Sequence, residues 1–139
     1  IVYDTMWEGT TQIAYRLAAE LSALAPATRV KTFNISKADK NEIMTEVFKS
    51  KAIAVGSPTV GNDVLSSVSG WLHFLKALKF KGKKAAAFGT YGWSGEGVKN
   101  LQGYLRDAGF EVIDASVRVN WNPTEENLAE VKGMAEGLI

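Results

Sequence analysis

The sequence contains no cysteine and a single histidine, His73, among its 139 residues. The lack of cysteine excludes disulfides, thiolate metal sites and thiol catalysis. One histidine leaves no cluster for a transition metal and no imidazole for a catalytic triad. No apolar run approaches the ~20 residues that a membrane-spanning helix needs, and no stretch resembles a secretion signal. We therefore expect a cytoplasmic protein without a membrane partner.

An excess of charge of one sign is also missing. The chain has 16 Lys and Arg against 15 Asp and Glu, a net charge of +1, which gives no reason to expect nucleic acid as a partner. The length fits one domain, residues 1–139, with a proper hydrophobic core. The first residue, Ile1, already lies in an apolar strand, which favours either a trimmed start or a domain cut from a longer chain.

Strand-like and helix-like segments alternate along the whole chain. Helical stripes of apolar residues follow each of five β-rich segments, which are 1–3, 29–34, 52–55, 85–88 and 112–119. Five such units predict an α/β fold with a doubly wound parallel sheet. Ligands bind at the carboxyl ends of the strands in such sheets. The loops after the first, third and fourth strands are therefore the candidate site.

The loop after the first strand, Thr5 to Thr10, opens a helix, and a helix N-terminus attracts anions. The loop has no Lys or Arg but does contain Glu8, and it matches neither GxxxxGK[ST] nor GxGxxG. These absences narrow the anion to a single phosphate monoester, which backbone N–H groups and hydroxyls can hold alone. By itself the loop fits a threonine-capped helix without a ligand equally well.

The other two loops differ in what they predict. Residues 56–63, with Pro58 and Gly61, form a generic turn when taken alone. Residues 89–97 place four glycines around Tyr91 and Trp93, which suits aromatic rings beside a flat ligand better than it suits a core. Three such loops at one sheet edge favour a ligand site.

The same three segments carry a family resemblance. Thr5-Met6-Trp7-Glu8-Gly9-Thr10, Ser57-Pro58-Thr59-Val60-Gly61-Asn62 and Tyr91-Gly92-Trp93-Ser94-Gly95 resemble the FMN loops of flavodoxins. Over nearly its whole length the chain is similar to the C-terminal flavodoxin domain of flavodiiron proteins, which are oxygen or nitric oxide reductases. The resemblance implies a three-layer flavodoxin-like fold, with a five-stranded parallel sheet in the order 2-1-3-4-5, helices on both faces and FMN as cofactor.

The resemblance also assigns roles to individual residues, with no catalytic residue and no metal ligand among them. The phosphate is expected to contact Thr5, Met6, Trp7, Gly9 and Thr10. The inner edge of the isoalloxazine is expected beside Pro58, Thr59, Val60, Gly61 and Asn62. Its outer face is expected under Tyr91, Gly92, Trp93, Ser94 and Gly95, with Trp93 as the stacking ring.

The implied function is one-electron transfer by FMN, as the electron-delivery domain of a flavodiiron reductase. The implied partners are a redox donor, either a rubredoxin-like protein or a flavin reductase, and a diiron acceptor domain, with a homo-oligomer as an option for the full-length protein. The ligands for two irons are missing here, so the resemblance implies a further, iron-bearing domain upstream, and we expect no turnover from this domain alone. Two alternatives stay open. They are a stand-alone short-chain flavodoxin, which residues 60–63 resemble more, and an FMN-dependent NAD(P)H:quinone reductase.

Two further features stay outside these assignments. The lysines between Lys76 and Lys84 precede the fourth strand and are interpreted as a solvated rim at the end of the sheet opposite the flavin. Trp121 follows the fifth strand, and the sequence does not decide between a core, an interface and a cofactor role for it.

Overall fold

Strands and helices alternate along the chain in the computed structural model, which describes residues 1–139. In chain order the elements are β1 (Val2–Tyr3), α1 (Gly9–Leu24), β2 (Phe33–Asn34), α2 (Lys40–Lys49), β3 (Ala52–Gly56), β4 (Thr59–Val60), β5 (Asp63–Val64), α3 (Ser66–Ala77), β6 (Lys84–Tyr91), α4 (Glu96–Asp107), β7 (Glu111–Val112), β8 (Val117–Asn120), α5 (Glu125–Ala129) and α6 (Val131–Leu138). None of the helices has the length and apolarity needed to cross a membrane.

The main sheet is parallel, and its strands lie in the order β2-β1-β3-β6, with β7 and β8 both on the outer side of β6. β7 pairs with the start of β6 and β8 with its end, from Phe88↔Val117 to Tyr91↔Asn120. The α/β class and the order of the strands are as predicted. The edge strand predicted over 112–119 is wrong in one respect, because residues 113–116 leave the ladder and split it in two. The exposed polar side chains of Asp114 and Ser116 lie in this break.

Helices cover both faces of the sheet and give the fold three layers. The larger of two cores contains 20 buried residues, among them Trp71 and Leu101 from α3 and α4. The other contains 13 buried residues, among them Ile13 from α1 and Met134 from α6. Successive residues of β6 point into opposite cores, as strand geometry requires, and its small alanines let the helices pack closely.

The second helix begins at an aspartate cap. Asp39 is the N-cap of α2, and its Oδ1 accepts hydrogen bonds from the backbone N–H groups of Asn41 and Glu42 at 2.8 and 3.0 Å. The strand β3 that follows is buried at four of its five residues, as expected for a strand covered on both faces. These elements fix the loops at the carboxyl ends of β1, β3 and β6.

Candidate functional site

The three predicted loops meet at the carboxyl edge of the sheet because β1, β3 and β6 are neighbours. The backbone N–H of Asp4 donates to the Gly56 carbonyl at 3.2 Å, and that of Ser57 donates to the Phe88 carbonyl at 3.1 Å. A Cβ on Gly89 would lie 1.9 Å from the Ser57 oxygen, so the second and third loops can pass this closely only with glycine there. All fifteen predicted site residues lie on these loops or on the helix turn that follows the first one.

The first loop leads directly into the N-terminus of α1. Glu8 is its N-cap with φ +66° and makes no side-chain capping bond, so the N–H groups of the first turn point outward without a capping acceptor. Thr10 is fully buried, with its Oγ1 3.2 Å from the Thr90 Oγ1. The Thr5 Oγ1 is also buried, and no group of the chain hydrogen-bonds to it. A buried hydroxyl without a partner, beside a free helix N-terminus, fits a bound phosphate.

A buried carboxylate, that of Asp4, anchors the start of this loop through hydrogen bonds. Asp4 is 4% exposed and accepts three hydrogen bonds, from the Thr5 N–H at 2.8 Å and from the hydroxyls of Ser36 and Ser67 at 2.5 Å each. The two serines lie before α2 and at the start of α3, far from Asp4 in sequence. Asp4 therefore fixes the start of the phosphate loop to two other parts of the fold, a role that local sequence patterns did not indicate.

The second loop is an antiparallel hairpin, β4–β5, rather than the generic turn that the sequence predicted when taken alone. Gly61 and Asn62 form its two-residue turn with φ of +56° and +63°, which is a type I′ turn. Pro58 is buried, and the Thr59 Oγ1 accepts from the Gly97 N–H at 3.1 Å. Pro58 and the Thr59 hydroxyl are thus used inside the fold, while the hairpin tip is exposed.

The third loop presents the most exposed aromatic side chain of the site. Trp93 is 94% exposed, and Tyr91 is half-buried with the Arg118 guanidinium 5.5 Å from its ring centroid. Arg118 also donates to the Gly95 carbonyl at 3.4 Å, so it holds both ends of this loop. An indole with so little protein contact is free to stack on a flat ligand.

Trp121 is the site residue that sequence reasoning did not assign. Its backbone N–H donates to the Tyr91 carbonyl at 2.8 Å. Its ring centroid lies 6.0 Å from that of Trp93, at an interplanar angle of 59°. A Cβ on Gly92 would lie 3.6 Å from the Trp121 ring, and one on Gly9 would lie 3.6 Å from the Trp121 carbonyl. The segment after β8 therefore joins the first and third loops. Its position at a carboxyl strand end was the only available signal.

Two groups at the edge of the site have shifted pKa values. The Ser94 hydroxyl, followed by the backbone N–H of Glu96 itself and the charge of Arg118, holds the pKa of the Glu96 carboxyl below its usual range. The hydrogen bond to the Asp63 carboxylate, with some desolvation, raises the pKa of the Tyr104 phenol. Both shifts report contacts that tie α4 to the second and third loops.

A large cavity lies elsewhere. It measures about 990 Å³ and opens at the amino end of the sheet, where its lining includes Lys31, Lys49, Lys83 and Lys84. Four of the six lysines that line it have partners inside the chain, and Lys31 and Lys49 both pair with Glu46. Lys83 Nζ donates to the carbonyls of Phe48 and Ser50, and Lys84 Nζ donates to the Gly137 carbonyl at 3.2 Å. The three loops therefore remain the candidate site.

Relatives of this chain are much longer proteins. The anaerobic nitric oxide reductase flavorubredoxin of Vibrio vulnificus (strain YJ016) is 42% identical over 132 residues, which is 95% of this chain and 26% of that protein. The flavorubredoxin of Aeromonas hydrophila is 41% identical over 132 residues, with the same coverage. The chain spans about a quarter of the length of the curated relatives it matches.

Solved structures give the same result. The rubredoxin oxygen:oxidoreductase of Desulfovibrio gigas superposes with a TM-score of 0.92 at 34% identity, covering 99% of this chain and 34% of that one. The flavodiiron protein of Giardia intestinalis gives 0.92 at 28% identity with the same coverage. A flavodoxin from the domain Archaea gives 0.83 at 28% identity and covers 96% of this chain and 90% of that one.

The family profile described as Flavodoxin matches residues 1–132. Together with the strand order and the three loops, this match confirms the resemblance that the sequence indicated. The cofactor of the family is the one predicted for this chain. The chain belongs to the flavodoxin family, whose members bind FMN and transfer electrons.

Proposed function

We propose that this chain holds FMN in the three loops and carries electrons one at a time to a diiron centre in a larger flavodiiron reductase. The observation that carries the proposal is the buried Thr5 hydroxyl, which has no partner in the chain and belongs to the loop that leads into the uncapped N-terminus of α1. Its nearest alternative, a threonine-capped helix, would leave this hydroxyl unsatisfied at a cost of about 1–3 kcal/mol.

The phosphate end of the cofactor is assigned to residues of the first loop. Hydroxyls and N–H groups supply its hydrogen bonds, each contributing about 1.5–3 kcal/mol when the acceptor is charged. The residues that would hold it are Thr5, Met6, Trp7, Gly9 and Thr10. Glu8, which follows Trp7, opposes a second phosphate group by charge repulsion, and this favours FMN over a dinucleotide.

The ring end is assigned to the other two loops. Trp93 offers its exposed indole face, and Trp121 packs against that indole at a ring-centroid distance of 6.0 Å. Val60 at 40% exposure gives the hairpin an apolar surface towards the ring. Stacking adds about 0.5–1.5 kcal/mol beyond the burial of apolar area.

FMN, when bound, accepts and releases electrons singly. The chain's contribution is a backbone acceptor, because no group of the chain donates to the Gly61 carbonyl, which lies at the exposed hairpin tip. This carbonyl can accept a hydrogen bond from a ring N–H of the cofactor. Such a bond, at ~1–1.5 kcal/mol net, raises the potential for the first electron by ~40–65 mV, at ~59 mV per tenfold for one electron.

The partners follow from the names of the relatives and are part of the proposal. Nitric oxide reductase flavorubredoxins and a rubredoxin oxygen:oxidoreductase support a rubredoxin-like donor and an acceptor domain that reduces nitric oxide or oxygen. The additional length of these relatives supports a further domain beside this one. A stand-alone flavodoxin is the second candidate, because an archaeal flavodoxin matches this chain over 90% of its own length.

The test is a titration of the purified chain with FMN and with riboflavin, followed by stepwise reduction. We expect quenching of flavin fluorescence, tighter binding of FMN than of riboflavin, and two separate one-electron potentials. A protein that binds neither flavin would overturn the proposal. Steady oxidation of NADPH by the loaded chain would instead favour the quinone reductase.

The role of the Gly61 carbonyl has a matched control. Gly61 and Gly82 have φ of +56° and +70°, and a Cβ on either meets nothing within 4 Å, so alanine adds the same backbone strain at both. Gly61→Ala should lower the potential for the first electron, whereas Gly82→Ala, at the amino end, should leave it unchanged. Equal potentials in the two variants would remove Gly61 from the account.

A further inference from the structure

The turn at the hairpin tip can adopt two forms. As a type I′ turn it requires positive φ at both Gly61 and Asn62, and the observed values are +56° and +63°. Rotation of the single peptide between these residues gives a type II′ turn, in which only Gly61 keeps a positive φ. Glycine tolerates both forms, and asparagine tolerates the left-handed region better than most residues.

Helix α4 and the third loop hold the turn on one side of that peptide only. Asn100 Nδ2 donates to the Asn62 carbonyl at 3.1 Å and to the Asp63 Oδ1 at 3.3 Å. Ser94 Oγ donates to the Asn62 Oδ1 at 3.1 Å. No group of the chain hydrogen-bonds to the Gly61 carbonyl.

The anchored side need not move when the free peptide rotates. Rotation of one peptide leaves the flanking Cα atoms in place, so the Asn62 carbonyl and side chain keep their partners. The bonds from Asn100 and Ser94 thus confine the movement to one peptide, so the Gly61 carbonyl turns about an axis that stays fixed relative to the third loop.

We infer that Asn100 is a positioning residue, which holds the frame of the Gly61–Asn62 turn, meaning the Asn62 carbonyl and the flanking Cα atoms. By holding this frame it sets the reduction potential for the first electron of a cofactor bound in the loops. The effect on the potential rests on the proposed function, whereas the anchoring of the turn does not. Asn100 lies on α4 and donates to the hairpin from outside the ring site, so it acts through the turn and not by touching the cofactor.

The matched variants are Asn100→Ala and Tyr104→Phe. Alanine favours the helix and removes both bonds to the turn. Phenylalanine removes only the bond from the Tyr104 hydroxyl to the Asp63 Oδ2, which measures 2.7 Å and leaves Asn62 anchored. Both variants should bind FMN within threefold of the wild type, because neither residue belongs to the predicted contacts.

The first readout is amide relaxation dispersion on the FMN-free protein. In the wild type and in Tyr104→Phe, exchange on the millisecond scale should be confined to Gly61 and Asn62. In Asn100→Ala it should spread to Asp63 and Ser94. An unchanged pattern in Asn100→Ala overturns the inference, whether or not the chain binds FMN.

The second readout is the potential for the first electron in the FMN-loaded protein. Loss of the frame should disfavour the reduced form about fivefold, which is a fall of ~40 mV at ~59 mV per tenfold, and Tyr104→Phe should match the wild type. A potential of Asn100→Ala equal to that of the wild type overturns the inference and leaves the proposed function standing. Failure of the wild type to bind FMN overturns the proposed function. The relaxation dispersion of the FMN-free protein then still tests whether Asn100 anchors the turn.

Discussion

The two ends of the sheet both resemble binding sites, but they use their polar groups in opposite ways. The amino end has the large cavity and a set of lysines, and Lys83 and Lys84 there satisfy the carbonyls at the ends of α2 and α6. The carboxyl end has the buried Thr5 hydroxyl without a partner and the almost fully exposed indole of Trp93.

The contrast separates polar groups that stabilise the fold from groups that are available to a ligand. Four of the six lysines that line the amino-end cavity are bonded to other groups of the chain, and two of these donate to carbonyls at helix ends. An unsatisfied buried hydroxyl and an indole left in solvent are costly or useless to the fold alone. The Thr5 hydroxyl and the Trp93 indole therefore favour the carboxyl end as the candidate site, whereas the one other residue with a buried unpartnered group outside α1, Trp71, lies in the hydrophobic core.

The largest effect is expected from Thr5→Val. Removal of one hydrogen bond to a charged phosphate should weaken FMN binding ~10- to 100-fold. The stability of the FMN-free protein should stay the same or rise, because valine buries no unpartnered hydroxyl. Fluorescence titration and urea unfolding measure the two effects, and an FMN affinity within twofold of the wild type would contradict the assignment. Riboflavin, which lacks the phosphate, should bind the variant and the wild type equally.

Lys83→Met is the counterpart at the amino end. It removes the donor to the carbonyls of Phe48 and Ser50 and should lower the free energy of unfolding by about 1 kcal/mol. FMN affinity should not change. A variant that kept full stability and lost FMN would reverse the roles of the two ends.

Two exposed aromatic residues sharpen the comparison further. Trp93→Ala should weaken FMN and riboflavin alike by about 5- to 10-fold, because stacking involves the ring that both flavins share. Phe48 at the amino end is 58% exposed and packs on Phe80 at a centroid distance of 4.8 Å. Phe48→Ala should therefore reduce stability and leave the affinity for both flavins unchanged. A loss of FMN affinity alone in Trp93→Ala would place its indole at the phosphate instead.

A smaller effect, a gain in folding stability, is expected from glycine at two residues with positive φ. Glu8 has φ +66° and Lys79 has φ +51°, and glycine should relieve about 1 kcal/mol of strain at either. Glu8→Gly should also tighten FMN binding severalfold, because a carboxylate leaves the phosphate loop. Glu8→Gln, which keeps the strain, should tighten binding without stabilising the fold. Equal FMN affinities of Glu8→Gly and Lys79→Gly would show that Glu8 lies away from the phosphate.

The smallest effect is a dependence on pH at the amino end. The hydrogen bond from Lys31, reinforced by the charges of Lys49 and Arg29, lowers the pKa of the Glu46 carboxyl. A lowered folded-state pKa means that its contribution is present above the ordinary carboxyl range, about pH 4, and is lost as the pH falls through the folded-state value. The stability difference between the wild type and Glu46→Gln should shrink over that window, as urea unfolding would measure. A stability difference that does not change with pH would contradict the lowered pKa of Glu46.

Much of the fold could be predicted because its signals are local. Apolar periodicity predicted the α/β class, the family resemblance implied the strand order, and the rule for carboxyl strand ends predicted the three loops. The β4–β5 hairpin also had a local signal, since Gly61-Asn62 between Thr59-Val60 and Asp63-Val64 is a two-residue hairpin pattern. The position of residues 56–63 after a strand predicts only a turn, whereas the β-rich pairs on both sides of Gly61-Asn62 indicate the hairpin.

The remaining features could not be predicted because they depend on contacts between distant segments. Asp4 bonds to Ser36 and Ser67, which are 32 and 63 positions away. Trp121 joins the site through Tyr91 and Trp93 on the third loop. No periodicity or spacing in one sequence encodes such pairs, so only the folded chain identifies them.

The most direct test of the account is an amide chemical-shift titration of the labelled chain with FMN. We predict that shifts concentrate in residues 5–11, 57–65, 90–97 and 120–123, with Lys31, Lys83 and Lys84 at the amino end unaffected. Shifts centred on the amino-end cavity, with the three loops silent, would contradict the central claim.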